Sequence, residues 1–123
     1  MKGCRRELGR LGEDAACSAL IGRGYEIVER NWRRARGEID VVARDGTTWV
    51  FVEVKARRQR GPERALDTMR PTKLLRLSEL GQQYLKEQGL EAVSWRIDWV
   101  GVEVDARRQV CRLDLVTGIG ADV

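Results

Sequence analysis

The sequence predicts an α/β protein: a mixed β-sheet with helices packed on its faces, in the order α-β-β-β-α-β-β. Three observations predict it. Two stretches place apolar residues at helical spacing, near 6–22 and 71–88. Between and after them lie runs rich in Val, Ile and Trp that alternate with polar residues. The second helix falls between two such runs, so it crosses over from the third strand to a fourth, which makes the sheet mixed.

The first helix carries Leu8, Leu11, Ala15, Ala16, Ala19 and Leu20, and Gly22 and Gly24 end it. "YEIVERNW" (25–32) reads as a strand. The segments near 37–44 and 48–56 read as a hairpin about Gly46-Thr47, with glycine at the first central position as a type II′ turn wants. Gly61-Pro62 breaks the chain. The second helix starts at Pro71 or Thr72, shows Leu74, Leu77, Leu80, Tyr84 and Leu85 on one side, and stops at Gly89. "AVSWRIDWVGVEV" (92–104) is the fourth strand, and "QVCRLDLVT" (109–117) a final edge strand. The whole reads as one domain, 1–123, long enough for a modest core.

Composition narrows the chemistry. There is no histidine, which removes Ser-His-Asp and Cys-His catalysis and histidine-ligated zinc. Cys4, Cys17 and Cys111 are odd in number and widely spaced, so neither a disulfide framework nor a zinc site is expected, and buried free thiols are the simple reading. No apolar run approaches the roughly 18 residues of a membrane span. The charged start "MKGCRRELGRLGED" lacks the apolar core of a signal peptide, so a cytoplasmic location is expected.

Net charge is +4, and only Lys2, Lys55, Lys73 and Lys86 among the basic residues are lysines. Arginine suits bidentate phosphate contacts. It clusters at Arg30, Arg33, Arg34 and Arg36, and again at Arg57, Arg58, Arg60 and Arg64, on both flanks of the hairpin. That placement points to a polyanionic partner, although an arginine-rich surface alone would look similar.

The hairpin holds the site candidates. Pairing Asp45 with Thr48 puts Asp40 opposite Glu53 and Glu38 opposite Lys55. One face is then wholly apolar (Ile39, Val41, Ala43, Val50, Val52, Val54). The other holds Val42, Trp49 and Phe51 near the turn and the four charged residues beyond them. Opposed carboxylates in a strand pair repel by roughly 3 kcal/mol at an effective dielectric of 20. A divalent cation such as Mg²⁺ offsets this. Lys55 projects from the same face as Glu53, within reach of a phosphate or a water beside that ion. A solvated face of mixed charge is the plain alternative.

"GEIDVVARDGTTWVFVEVKAR" resembles the core of the PD-(D/E)XK nuclease superfamily, which includes restriction endonucleases and Holliday-junction resolvases. Over nearly its whole length the chain resembles the YraN family, through "LGRLGEDAA", "GEID", "FVEVKAR", "RPTKLLRL" and "RIDWVGV". The resemblance implies a restriction-endonuclease-like sheet and Mg²⁺- or Mn²⁺-dependent cleavage of DNA. It implies Asp40 and Glu53 as metal ligands, the Val54 carbonyl beside them, Lys55 as the residue that positions the attacking water, and Glu13 as a further acid from the first helix. Glu38 is left between hydrogen-bonding Lys55 and lying near the metal. Ile39 stands where the superfamily pattern has proline.

Arg33, Arg34, Arg36, Arg57, Arg58 and Lys73 are the expected nucleic-acid contacts. A chain this short has no room for a separate sequence-reading domain, so branched or single-stranded DNA is the expected substrate. Paired cuts at a junction would require a homodimer. Gly9 and Gly12 allow close approach of the helix to the sheet, or of a DNA backbone to the helix. The four tryptophans are most simply core, with Trp32 also placed to stack on a base. The competing readings are a nucleic-acid-binding module with a vestigial nuclease site, and a protein–protein adaptor using exposed tryptophans.

Overall fold

The computed structural model describes residues 2–59 and 69–119. Helix α1 (Lys2–Gly22) leads into strands β1 (Glu26–Arg34), β2 (Gly37–Asp45) and β3 (Thr48–Arg58); helix α2 (Pro71–Glu87) follows, then β4 (Trp95–Val104) and β5 (Val110–Val116). This is the α-β-β-β-α-β-β order that the periodicities predict. The Gly61-Pro62 break, Arg60 and Arg64 lie outside the described residues. The expected start of the fourth strand at 92 moves to Trp95, because residues 91–93 turn and Ser94 feeds the strand.

One five-stranded sheet runs β1-β2-β3-β4-β5. Its pairs are antiparallel except β3 with β4, which the α2 crossover makes parallel. The central β3 is covered on both sides, and Val50, Phe51 and Val52 are fully buried in sequence, as the inner strand of a two-faced sheet requires. Helix α1 packs Ala16, Cys17 and Leu20 against Val41, Ala43, Val50, Val52, Val100 and Val102. Helix α2 packs Leu77, Leu80, Tyr84 and Leu85 against Trp32, Ile39, Val42, Phe51 and Ile97 on the opposite face.

The hairpin register is the expected one, from Asp45↔Thr48 inward to Val41↔Val52. Gly46 takes a positive φ of 63°, the conformation a II′ turn demands at its first central residue.

Within β2, strict alternation fails at Asp40. Ile39 and Val41, two residues apart, belong to opposite faces of the sheet. The break runs through β1 as well. Arg30 meets Glu13 and Asp14 of α1, whereas Trp32 packs edge-on against Tyr84 of α2 with ring centroids 5.4 Å apart. Between Arg30 and Trp32, Asn31 adopts φ 56°, a left-handed conformation asparagine tolerates better than most residues. Asp40 falls between the pairs Arg30↔Val41 and Trp32↔Ile39, across from Asn31. The wholly apolar face expected to include Ile39 therefore divides at Asp40.

Three smaller expectations are corrected. Cys17 is buried, but Cys111 is exposed, on the edge strand β5. Trp32 is 3% exposed with the Arg34 guanidinium 4.2 Å above its ring, so it is core and offers no face to a base. Among the described residues no tryptophan is exposed, which removes the basis for the tryptophan-displaying adaptor.

Candidate active site

Buried charge collects at both ends of the sheet. At the hairpin-turn end, Asp98 is fully buried. It accepts hydrogen bonds from Tyr25 Oη (2.8 Å), Arg96 Nε (3.0 Å) and the Gly118 amide (3.0 Å). Arg96 also donates to Asp45 (2.9 Å). That network is supplied with donors, as a structural buried acid must be.

The other end is built differently. The paired register of β2 and β3 stops at Val41↔Val52, one step short of Asp40 and Glu53. The expected direct opposition of those two acids, and of Glu38 with Lys55, does not form as ladder pairs. The Val54 amide instead donates to Asp40 Oδ2 at 2.8 Å. The face reversal at Asn31 and Asp40 turns the Asp40 carboxylate towards β3, where it takes the place of a ladder carbonyl.

Around it open two adjoining clefts. One, of about 590 Å³, is lined by Glu13, Asp40, Glu53, Val54, Lys55, Arg57 and Lys73, with Leu8, Gly9 and Ala56. The second, of about 360 Å³, lies on the α2 side and shares Glu53 and Lys73 with the first. All four expected catalytic residues thus face a single open cleft, brought there by α1, β2 and β3.

Glu13 reaches the cleft because α1 crosses close over β3. A Cβ on Gly12 would come within 2.4 Å of the Ala56 Cβ, so only glycine permits this approach. Gly9 has nothing within 4 Å of such a Cβ and is exposed at the cleft rim.

The cleft mixes crowded acids with basic partners. Carboxylate oxygens of Glu13, Glu38 and Asp40 lie within 4.8 Å of one another. Burial, then the Glu53 charge, push the Asp40 carboxyl up to about 8, with Glu13 and Glu38 adding to the rise and the Val54 amide opposing it. Glu38 belongs with the acids: its partner is Arg33 at 2.5 Å, not Lys55. Glu53 is buried and pairs with the Lys73 ammonium. Arg30 bridges Glu13 (3.4 Å) and Asp14 (2.9 Å). Hard carboxylate oxygens are what Mg²⁺ or Mn²⁺ takes; Glu13, Glu38 and Asp40 stand close enough together to share an ion, and Glu53 lines the same cleft.

The basic residues surround this end. Arg57 lines the cleft and Arg58 is exposed just beyond it. Arg33, Arg34 and Arg36 pair at the surface with Glu38, Glu87 and Glu79. Exposed pairs of this kind are weak. Sequence reasoning missed the face reversal and the Arg30 bridge. The signal for the reversal was Asn31, a residue type depleted in strands, inside an apolar-aromatic run.

Residues 12–117 match the family described as "Uncharacterised protein family UPF0102". The chain belongs to UPF0102. Relatives carrying the name "UPF0102 protein" include one from Roseiflexus castenholzii, 44% identical over 89% of both chains. One from Streptomyces griseus is 46% identical over 84% of this chain and 87% of the other. One from Chloroflexus aurantiacus is 40% identical over 96% and 97%. The UPF0102 family is the YraN family, so the whole-length resemblance is borne out. Among the described residues of this UPF0102 chain, no helix is long and apolar enough to cross a membrane.

Proposed function

We propose that this UPF0102 protein is a metal-dependent endonuclease of the PD-(D/E)XK type, acting on branched or single-stranded DNA. What carries the reading is the convergence of Glu13, Asp40, Glu53 and Lys55 on one open cleft, with the Asp40 carboxyl pushed up to about 8 by burial and neighbouring acids. A titratable group in a cleft, perturbed strongly by desolvation and by a specific charged neighbour, is a candidate for chemistry.

Asp40 and Glu53 would hold the divalent cation, with Glu13 and Glu38 completing the acid set. Such a cation would supply Lewis-acid chemistry: a lowered pKa for water and charge stabilisation on the scissile phosphate. Lys55 orients the attacking water and presents a positive charge to the phosphorane-like transition state. The Val54 amide fixes Asp40, so the carboxylate is oriented before substrate arrives. Arg57 and Arg58 hold the flanking backbone, and Arg33, Arg34 and Arg36 extend the contact by exchanging their glutamate partners for phosphates.

A second reading, a nucleic-acid-binding module without turnover, draws on the Glu53–Lys73 pair, in which a lysine meets the acid with no need of metal. One experiment separates the two. Labelled duplex, single-stranded, flap and four-way-junction DNA are incubated with the protein in Mg²⁺, Mn²⁺ or EDTA. Metal-dependent cutting that falls by about a hundredfold or more in Asp40→Asn and Lys55→Ala is the expected result. Salt-sensitive binding without cutting in any metal supports the second reading and overturns the first.

A further inference from the structure

Lys73 is a strange residue for its position. It sits in the first turn of α2, which has no acidic residue and starts at Pro71. A cation there opposes the helix dipole, so helix stability does not explain it. Its ammonium pairs with Glu53, and the partners are unequal. The Glu53 side chain is 7% exposed and fixed on the central strand, whereas the Lys73 side chain is 51% exposed on a flexible stem. The pair also stands where the two clefts meet, since both residues line both. The α2-side cleft continues past Lys73 to Thr72 and Arg76, groups suited to a phosphate.

We propose that Lys73 and the divalent cation are exclusive partners of Glu53, so that cation binding releases the Lys73 ammonium to a substrate phosphate in the α2-side cleft. This rests on the metal site proposed above and makes Lys73 a positioning residue that couples metal loading to DNA contact. The electrostatics favour the exchange. Glu53 is too buried to leave for solvent, and an ammonium within hydrogen-bonding distance of the same carboxylate repels a divalent ion strongly. Lys73 is the mobile member, and a nucleic-acid phosphate is the anion the neighbouring cleft offers it.

The chain has only four lysines, so lysine side-chain NMR of the full protein, labelled at ¹³Cε, gives a spectrum that single Lys→Arg substitutions assign. Mg²⁺ is titrated while calorimetry follows binding. The Lys73 signal is expected to shift with the calorimetric midpoint, and in Glu53→Gln to start near the shifted position and ignore Mg²⁺. Lys73→Met is expected to bind Mg²⁺ about tenfold more tightly than the parent, with Lys86→Met unchanged. Mg²⁺ binding with a stationary Lys73 signal and unaltered affinity in Lys73→Met overturns the exchange and leaves the nuclease reading intact. Absence of Mg²⁺ and Mn²⁺ binding overturns both.

Discussion

Two aspartates, Asp98 buried and Asp40 half-buried, occupy opposite ends of one sheet, and they are treated in opposite ways. Asp98 receives a phenol, a guanidinium and a backbone amide. Asp40 receives one backbone amide and is crowded by Glu13, Glu38 and Glu53. A protein that can satisfy one acid so fully leaves the other with a single amide donor among three further carboxylates, an arrangement that folding alone does not reward. Satisfied polar groups buried in an interior contribute to a unique fold. Crowded acids beside an open cleft mark a candidate functional site. On the proposed reading, stability resides at the hairpin-turn end and chemistry at the splayed end.

The sharpest way to break the comparison is at Asp98. Replacing it with alanine strands Arg96 and Tyr25 without their acceptor, and loss of one partner of a buried charged pair costs about 3–5 kcal/mol. Urea denaturation should show that loss. A change under about 1 kcal/mol would mean that Asp98 is not the structural acid described here.

A pH series sharpens it next. Asp40 has a folded pKa raised to about 8, so the folded state holds this proton more tightly than the unfolded chain. Its contribution is therefore fully present below the unfolded value of about 4 and is lost as pH rises through 8. In EDTA, the stability of the parent minus that of Asp40→Asn should fall on the order of a few kcal/mol between pH 5 and 8.5, and saturating Mg²⁺ should remove the fall. A flat difference would show that neither burial nor the neighbouring acids raise the Asp40 carboxyl.

A smaller effect is expected at the α1 crossing. Gly12→Ala forces a methyl against Ala56, and such overpacking costs about 1–3 kcal/mol. Because Glu13 follows directly, metal affinity should drop with stability. A variant as stable as the parent would indicate that the helix yields freely.

The smallest effect belongs to the arginines. Five phosphate contacts give a log–log salt slope of about −4 to −5 on duplex DNA, and Arg58→Ala should lower its magnitude by about one. A salt-independent affinity would remove the basic flanks from the account.

The fold was readable because local signals agreed: helical spacing in α1 and α2, glycine at 46, proline at 71, and one register that buries the apolar residues of β2 and β3. The candidate site was readable in part, since Asp40, Glu53 and Lys55 sit at fixed offsets from the same turn. What could not be read were the features that depend on the third dimension. The reversal at Asn31 sends Ile39 and Val41 to different faces, and period-two counting has no means to see it. The Lys73–Glu53 pair joins residues from different elements, and no spacing rule connects them. Glu38 was ambiguous because its position depends on where the ladder of β2 and β3 ends.

The central claim is that the acids at the splayed end gather a cation, and Mn²⁺ binding to the full chain tests it most directly. Calorimetry should find the parent and Asp45→Asn, altered in the satisfied network, binding Mn²⁺ alike, with Asp40→Asn weaker by about tenfold or more. Equal affinity in the parent and Asp40→Asn, or no binding by the parent, would contradict it.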